Sequence, residues 1–279
     1  MENPYWLSLV APQPVYWGRI AAFSAGFASL FVGVHRVVSA AARLQALSSP
    51  RQVKIEAGAS SRSGLSAATN VCSLVHAAGT SVSAVWVVWR LLVGDAGGLA
   101  VRVWQWTLAF SQGYFLADAA LYGTQRESWV LVHHLWMVIA HHPIGEPLQG
   151  CRLMGCGDCS RAVWLSATGY WAEISTLFLV VRWFQHRWLR KHSVWYSINS
   201  ACLLTTYPVT RVGGAAAILL GSLWPSRAEY ERQGLGSLIT FTTVTYIAMA
   251  LMSSYYFYTL VSRGLSRALF FAPEVAKKE

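Results

Sequence analysis

The sequence predicts an all-α polytopic membrane protein that crosses a bilayer about seven times, and three observations carry that prediction. Hydrophobic residues make up 54% of the chain and charged residues only 12%, about half the charge of an ordinary soluble domain. Apolar stretches of membrane-spanning length recur along it. Tryptophans such as Trp17, Trp104, Trp183, Trp188 and Trp224 stand near the ends of those stretches, where an amphipathic ring suits the headgroup layer.

Taken in order, the predicted spans run roughly from Val15 to Val38, Ser66 to Val93 and Leu99 to Gly123, then from Arg161 to Phe184, Val194 to Leu223 and Leu238 to Val261. Between the third and fourth lies Ser128 to Ala140, too short to cross and therefore a short or re-entrant helix sheltered by its neighbours. The Ser- and Ala-rich stretch from Ser39 to Ser66 reads as a mobile connection.

Charge distribution tests the count independently, because Lys and Arg collect in cytoplasm-like loops. Arg36, Arg43, Arg51, Lys54 and Arg62 lie in the first loop, Arg187, Arg190 and Lys191 in the fifth, and Arg263, Arg267, Lys277 and Lys278 in the tail. Seven spans put all three segments on one side. The sixth loop, with Arg227, Glu229, Glu231 and Arg232, is balanced, as the opposite face requires. The net charge of +10 is thus spread through short loops and forms no basic face, which argues against nucleic acid as a partner. Residues 1–14 contain Glu2 and no Arg, unlike a transit peptide, so the first apolar run is expected to be retained.

Ionisable groups inside the spans are costly, roughly 2.5 to 3.5 kcal/mol for an Asp, Arg or Lys at a helix centre, and therefore face a bundle interior or a cavity. Here they are His76, Asp118, His133, His134, Glu173 and Arg211. Helical spacing sets several on polar stripes: Thr69, Ser73, His76, Thr80 and Ser83 in the second span; Thr107, Ser111, Tyr114, Asp118 and Tyr122 in the third; Ser166, Gly169, Tyr170, Glu173 and Thr176 in the fourth. Three such faces are expected to line a common chamber. Arg211 follows Pro208, whose missing N–H loosens the helix, and offers a positive charge to Asp118 or Glu173. Polar stripes also glue membrane helices together, so a structural role stands beside the functional one. Paired imidazoles at His133 and His134 supply donors, acceptors and a titration near neutrality that packing does not need.

Five cysteines make no disulfide framework, since Cys72 and Cys202 lie within spans. Cys151, Cys156 and Cys159, with His141 and His142 nearby, do not follow a standard zinc spacing, and no metal is assigned to them.

Several segments resemble the TLC-domain family, which includes ceramide synthases and lipid-homeostasis and translocon-associated membrane proteins. They are "NVCSLVHA" from Asn70, "GYFLADAALYG" around Asp118, "VHHLWMVIAHH" with His133 and His134, and "AEISTLFLVVRWF" from Ala172 to Phe184, with "YPVTRV" around Arg211 similar to a later block. The resemblance covers roughly residues 66–262 and divides the chain into an N-terminal helix and basic loop (1–65), a TLC-like domain (66–262) and a basic tail (263–279). It implies a six-helix bundle around a lipid-sized cavity, with the N-terminal helix added outside. Ceramide synthases carry further His and Asp residues after the paired histidines, whereas this chain turns at Pro143 into "CRLMGCGDCS"; its last span reads "MSSYYFYTL" where the family usually has an Asn and a Trp. It therefore looks nearer to the non-synthase members. Endoplasmic reticulum is the location the resemblance implies, with a mitochondrial inner membrane as the alternative.

Acyl transfer suits these parts. His133 or His134 would be the base for an amine or hydroxyl attacking a thioester such as acyl-CoA, and Asp118 would orient an imidazole. His76, Glu173, Tyr114 and Arg211 would line the lipid site. Binding of a phospholipid or acyl chain without turnover is the second reading. The third is a non-catalytic accessory role among other membrane protein subunits.

Overall fold

A computed structural model describes residues 14–48, 53–94, 98–122, 131–138, 159–188, 193–232 and 236–271. They are almost entirely helical, and no strand occurs among them. Two compact units divide the chain, Met1–Lys191 and His192–Glu279.

In the first unit, α1 (Pro14–Ser48), α2 (Val53–Leu92) and α3 (Leu99–Tyr122) pack against one another, and α2 also meets α5 (Cys159–Gly169) and α6 (Ala172–Trp188). Helix α2 is therefore the central element. Between α3 and α5 lies α4, the eight residues 131–138 within the short helix expected there. The first helix, which the resemblance sets outside a six-helix bundle, crosses α3 at backbone contact. A Cβ placed on Gly113 would lie 2.5 Å from the Cβ of Phe23 and 2.9 Å from the Ser24 nitrogen, and the Ser24 hydroxyl donates to the Gly113 carbonyl at 2.9 Å. Only glycine permits that approach. Phe23 and Phe27 fill the crossing with rings against Phe110 at 5.4 and 5.1 Å.

The connection expected to be mobile is largely helix: α1 continues to Ser48 and α2 begins at Val53. Ala41, Ala42, Arg43, Leu44, Gln45 and Ala46 are all good helix formers, which outweighs the serines beyond them. At about 1.5 Å per residue these helices outrun a hydrocarbon layer of about 30 Å by roughly 20 to 30 Å, so Arg43, Lys54 and Arg62 ride on the overhangs. At its other end α2 stops at Gly94, whose φ of +86° suits a left-handed helix terminus.

Helix α2 buries polar groups among its alanines and valines and turns large apolar side chains outward. Its buried side carries Thr69, His76, Thr80 and Ser81, while Val75, Val82, Val85 and Trp89 are exposed. Helix α10 (Gly236–Phe271) likewise exposes Val244, Leu251, Tyr255 and Tyr258. Water would disfavour such faces; hydrocarbon suits them. Among the described residues, four helical stretches are long and apolar enough to cross a membrane: Trp17–Ala41, Ala67–Leu92, Val194–Leu223 and Ile239–Ser262. These fall on four of the expected spans. A fifth, α3, has 24 residues but brings Arg102, Gln105, Gln112 and Asp118 into its length. The stretch from Arg161 to Phe184, expected as one span, is instead two helices. It breaks at Tyr170 and Trp171, where Trp171, Glu173 and Ile174 donate to carbonyls three residues back.

The second unit is an antiparallel hairpin. Its first arm runs through α7 (Val194–Tyr207), a π-helical turn (Pro208–Gly213), α8 (Gly214–Ile218), a second π turn (Leu219–Leu223) and α9 (Trp224–Arg232), and α10 returns along it. Ser193 caps α7 by accepting from the Tyr196 N–H at 3.2 Å. Pro208 opens the first π turn because its ring nitrogen has no proton for the preceding turn.

Candidate functional site

Three rungs fix the register of α2 against α3. The Ser73 hydroxyl meets the Tyr114 hydroxyl at 2.8 Å, and His76 Nε2 meets Ser111 Oγ at 2.9 Å. Gly79 then gives the Phe110 ring room, since a Cβ added there would stand 3.0 Å from the ring edge. Steps of three residues on α2, from Ser73 to His76 to Gly79, run antiparallel to Tyr114, Ser111 and Phe110 on α3 and keep these pairs on facing sides. The stripes expected from spacing thus meet each other in part. Thr80 and Thr107 depart from them, since their hydroxyls return to the carbonyls of His76 and Val103 within their own helices.

Further along α3, Asp118 stands four residues beyond Tyr114 and faces α4. Its Oδ2 lies 2.7 Å from His134 Nδ1, and both residues are buried, at 4% and 6% exposure. The approach is of ion-pair length without the alignment of a hydrogen bond. Gln112 fixes the far end of α4 by donating to the Val138 carbonyl at 3.2 Å. His133 is half-buried beside His134, with ring centroids 5.4 Å apart.

Phe115 is the hub of the cluster. Its ring lies 5.0 Å from His76, 5.1 Å from His134, 6.3 Å from His133 and 5.3 Å from Tyr114. His76 stacks on Tyr114 at 4.2 Å with the planes 15° apart, and Tyr114 reaches His134 at 5.8 Å. Behind them the Tyr170 hydroxyl donates to Ser111 at 2.8 Å. Phe27 of α1 covers Tyr114 at 5.3 Å.

Of the residues expected at the site, His76, Tyr114, Asp118, His133 and His134 are brought together here. Glu173 sits half-buried in the first turn of α6, where a carboxylate suits the helix dipole. Arg211 belongs to the second unit, in the first π turn, with its guanidinium 5.2 Å from the Tyr207 ring centroid. Tyr207 in turn stacks against Tyr256 and Phe257. Within the first unit, the neighbour of Asp118 is the His134 imidazole. Cys72 and Cys202 are free thiols within α2 and α7. His141, His142, Cys151 and Cys156 lie outside the described residues, as do the Cys159 side chain and the end of the tail.

Sequence reasoning passed over Phe115, Phe110, Gln112 and the Tyr170–Ser111 contact. Phe115 had a signal: it lies four residues after Ser111 and three before Asp118, on the face that carries the chemistry. At 2.7 Å a small turn of the imidazole would bring Nδ1–H into line with the Asp118 carboxylate, the arrangement in which the opposite nitrogen, Nε2, is the accepting one. The fold and site define a helical protein with membrane-length apolar helices and a carboxylate–imidazole pair inside its first unit. Compared with protein families, with characterised proteins and with solved structures, the chain matches none.

Proposed function

We propose that this is an integral membrane protein of the TLC-domain kind, with about seven spans, that handles lipid acyl groups at His134, His133 and Asp118. The observation that carries the reading is the 2.7 Å approach of Asp118 to His134 inside the bundle. A carboxylate and an imidazole at membrane depth are costly to keep and are the parts general-base chemistry uses. Exposed apolar faces on α2 and α10 support the membrane setting. In that setting α3 and the broken α5–α6 pair serve as interior crossings.

In the proposed reaction, His134 Nε2 removes the proton from an amine or hydroxyl as that group attacks a thioester carbonyl. The new bond to carbon forms, the carbon–sulfur bond breaks, and the departing thiolate takes the proton back from the imidazolium. Acyl-CoA fits as donor and a membrane lipid as acceptor or product. His133, half-buried beside His134, is suited to contact the polar end of a substrate. His76, stacked on Tyr114 and hydrogen-bonded through Nε2 to Ser111, positions the cluster. By resemblance the protein belongs in the endoplasmic reticulum.

Replacing both His133 and His134 by alanine in the native host is expected to deplete particular acyl-lipid species in membranes that still contain the protein. Lipid profiles indistinguishable from wild type, with the variant present at normal levels, would remove acyl transfer from consideration.

A further inference from the structure

We propose that Tyr170, Ser111 and His76 form an oriented hydrogen-bond relay that holds His76 as a neutral, Nδ1-protonated positioning residue and ties the helix break at 170–171 to the rings walling the dyad. As a statement about catalysis this rests on the acyl-transfer reading; as a statement about tautomer and ring placement it stands on geometry.

Direction follows from counting protons. Tyr170 donates its hydroxyl proton to Ser111 Oγ at 2.8 Å. Ser111 has one proton of its own, and the group facing it is His76 Nε2 at 2.9 Å. Were Nε2 the donor, Ser111 would accept twice and its own O–H would be left as an unsatisfied buried donor, since these two are its hydrogen-bond partners among the described residues. The consistent arrangement is Tyr170 to Ser111 to His76, with the imidazole accepting at Nε2 and carrying its proton on Nδ1: it leaves one polar group, that Nδ1–H, without a partner among the described residues, where the reverse direction leaves two, the Ser111 O–H and the Nδ1 lone pair. All three residues are buried, at 4%, 0% and 2% exposure, so water does not compete for these bonds.

His76 passes that orientation on through its stack. Its ring lies nearly parallel to Tyr114 at 4.2 Å and touches Phe115 at 5.0 Å, and those are the two rings of α3 against His134. Tyr114 is anchored at its other end by Ser73, so it cannot follow a turning His76 without losing that bond. Tyr170 itself occupies the turn between α5 and α6 and packs edge-on against Trp104 at 5.2 Å. A shift of the break is therefore expressed at His134 through four side chains in contact.

The test is nitrogen NMR of histidine rings in the full chain, isotope-labelled at histidine and held in phospholipid nanodiscs, with His76 and His134 assigned by their loss in H76N and H134N. His76 Nε2 is expected to resonate as a pyridine-type acceptor. Y170F, which deletes the one oxygen that bonds to Ser111, is expected to shift both His76 and His134 signals. S111A should shift them further, and S111T, which keeps the hydroxyl, should restore them. A pyrrole-type Nε2 at His76 overturns the relay, as do His134 signals unmoved in a folded S111A. Should S111A fail to fold, Y170F reads the same signals. No substrate enters this measurement, so a null result in lipid profiles leaves it intact, and loss of the relay leaves acyl transfer to be judged on the dyad.

Discussion

Asp118→Asn is expected to lower acyl-transfer turnover by roughly 100- to 10,000-fold, the range that general acid–base catalysis contributes, while leaving the helices folded. Asparagine matches the aspartate in size, so the packing around Phe115 and Tyr114 has no reason to collapse. What changes is electrostatic. The amide carries no charge to stabilise an imidazolium at His134, and its NH2 is able to face Nδ1 and select the tautomer whose Nε2 is not basic. The measurement is transfer of labelled acyl groups from acyl-CoA to lipid by the purified chain in nanodiscs, with helical content followed by circular dichroism. Activity within a few-fold of wild type in folded D118N would mean that the 2.7 Å contact serves packing alone.

The second large effect falls at a position without chemistry. Gly113→Ala is expected to destabilise the first unit by about 2 to 3 kcal/mol, the upper part of the range for overpacking, because the atoms in the way are the Phe23 Cβ and the Ser24 backbone. Neither can rotate aside. Parting α1 from α3 also breaks the Ser24–Gly113 hydrogen bond and moves Phe27 away from Tyr114. Two other glycines calibrate the claim. Gly79→Ala meets the Phe110 ring edge at 3.0 Å, which a small ring tilt relieves, and Gly26→Ala meets nothing within 4 Å. Thermal melts in detergent should rank G113A well below G79A, with G26A close to wild type. Equal melting of G113A and wild type would contradict the crossing.

Much of this was legible in the sequence for plain reasons. A stretch such as Ala67–Leu92 is apolar enough to announce itself, and the three- and four-residue spacing of Ser73, His76, Ser111, Tyr114 and Asp118 identifies the faces that meet. Other features depend on contacts that spacing does not encode. Asp118 had several candidate partners on paper, and its pairing with His134 depends on how α4 is folded back and held by Gln112. The break at Tyr170 has only Gly169 as local warning; it is secured by Tyr170 reaching Ser111 and Trp104 on a different helix. Continuation of α1 past Ala40 does not follow from serine content, which favours loop; the alanines, leucine and arginine there favour helix. Phe115 was hidden by its own chemistry, since an aromatic residue in an apolar run ordinarily signals nothing beyond packing.

The His134–Asp118 pair is proposed to work on a lipid acyl group within the first unit. Its most direct test is a density map of the full chain purified with its native lipids. The expected result is an elongated lipid whose ester, amide or thioester end lies within hydrogen-bonding reach of His134 Nε2, and whose density at that end is lost in H134A. A well-resolved interior in which side chains fill the space around His133 and His134, with lipids confined to the outer faces of α2 and α10, would contradict it.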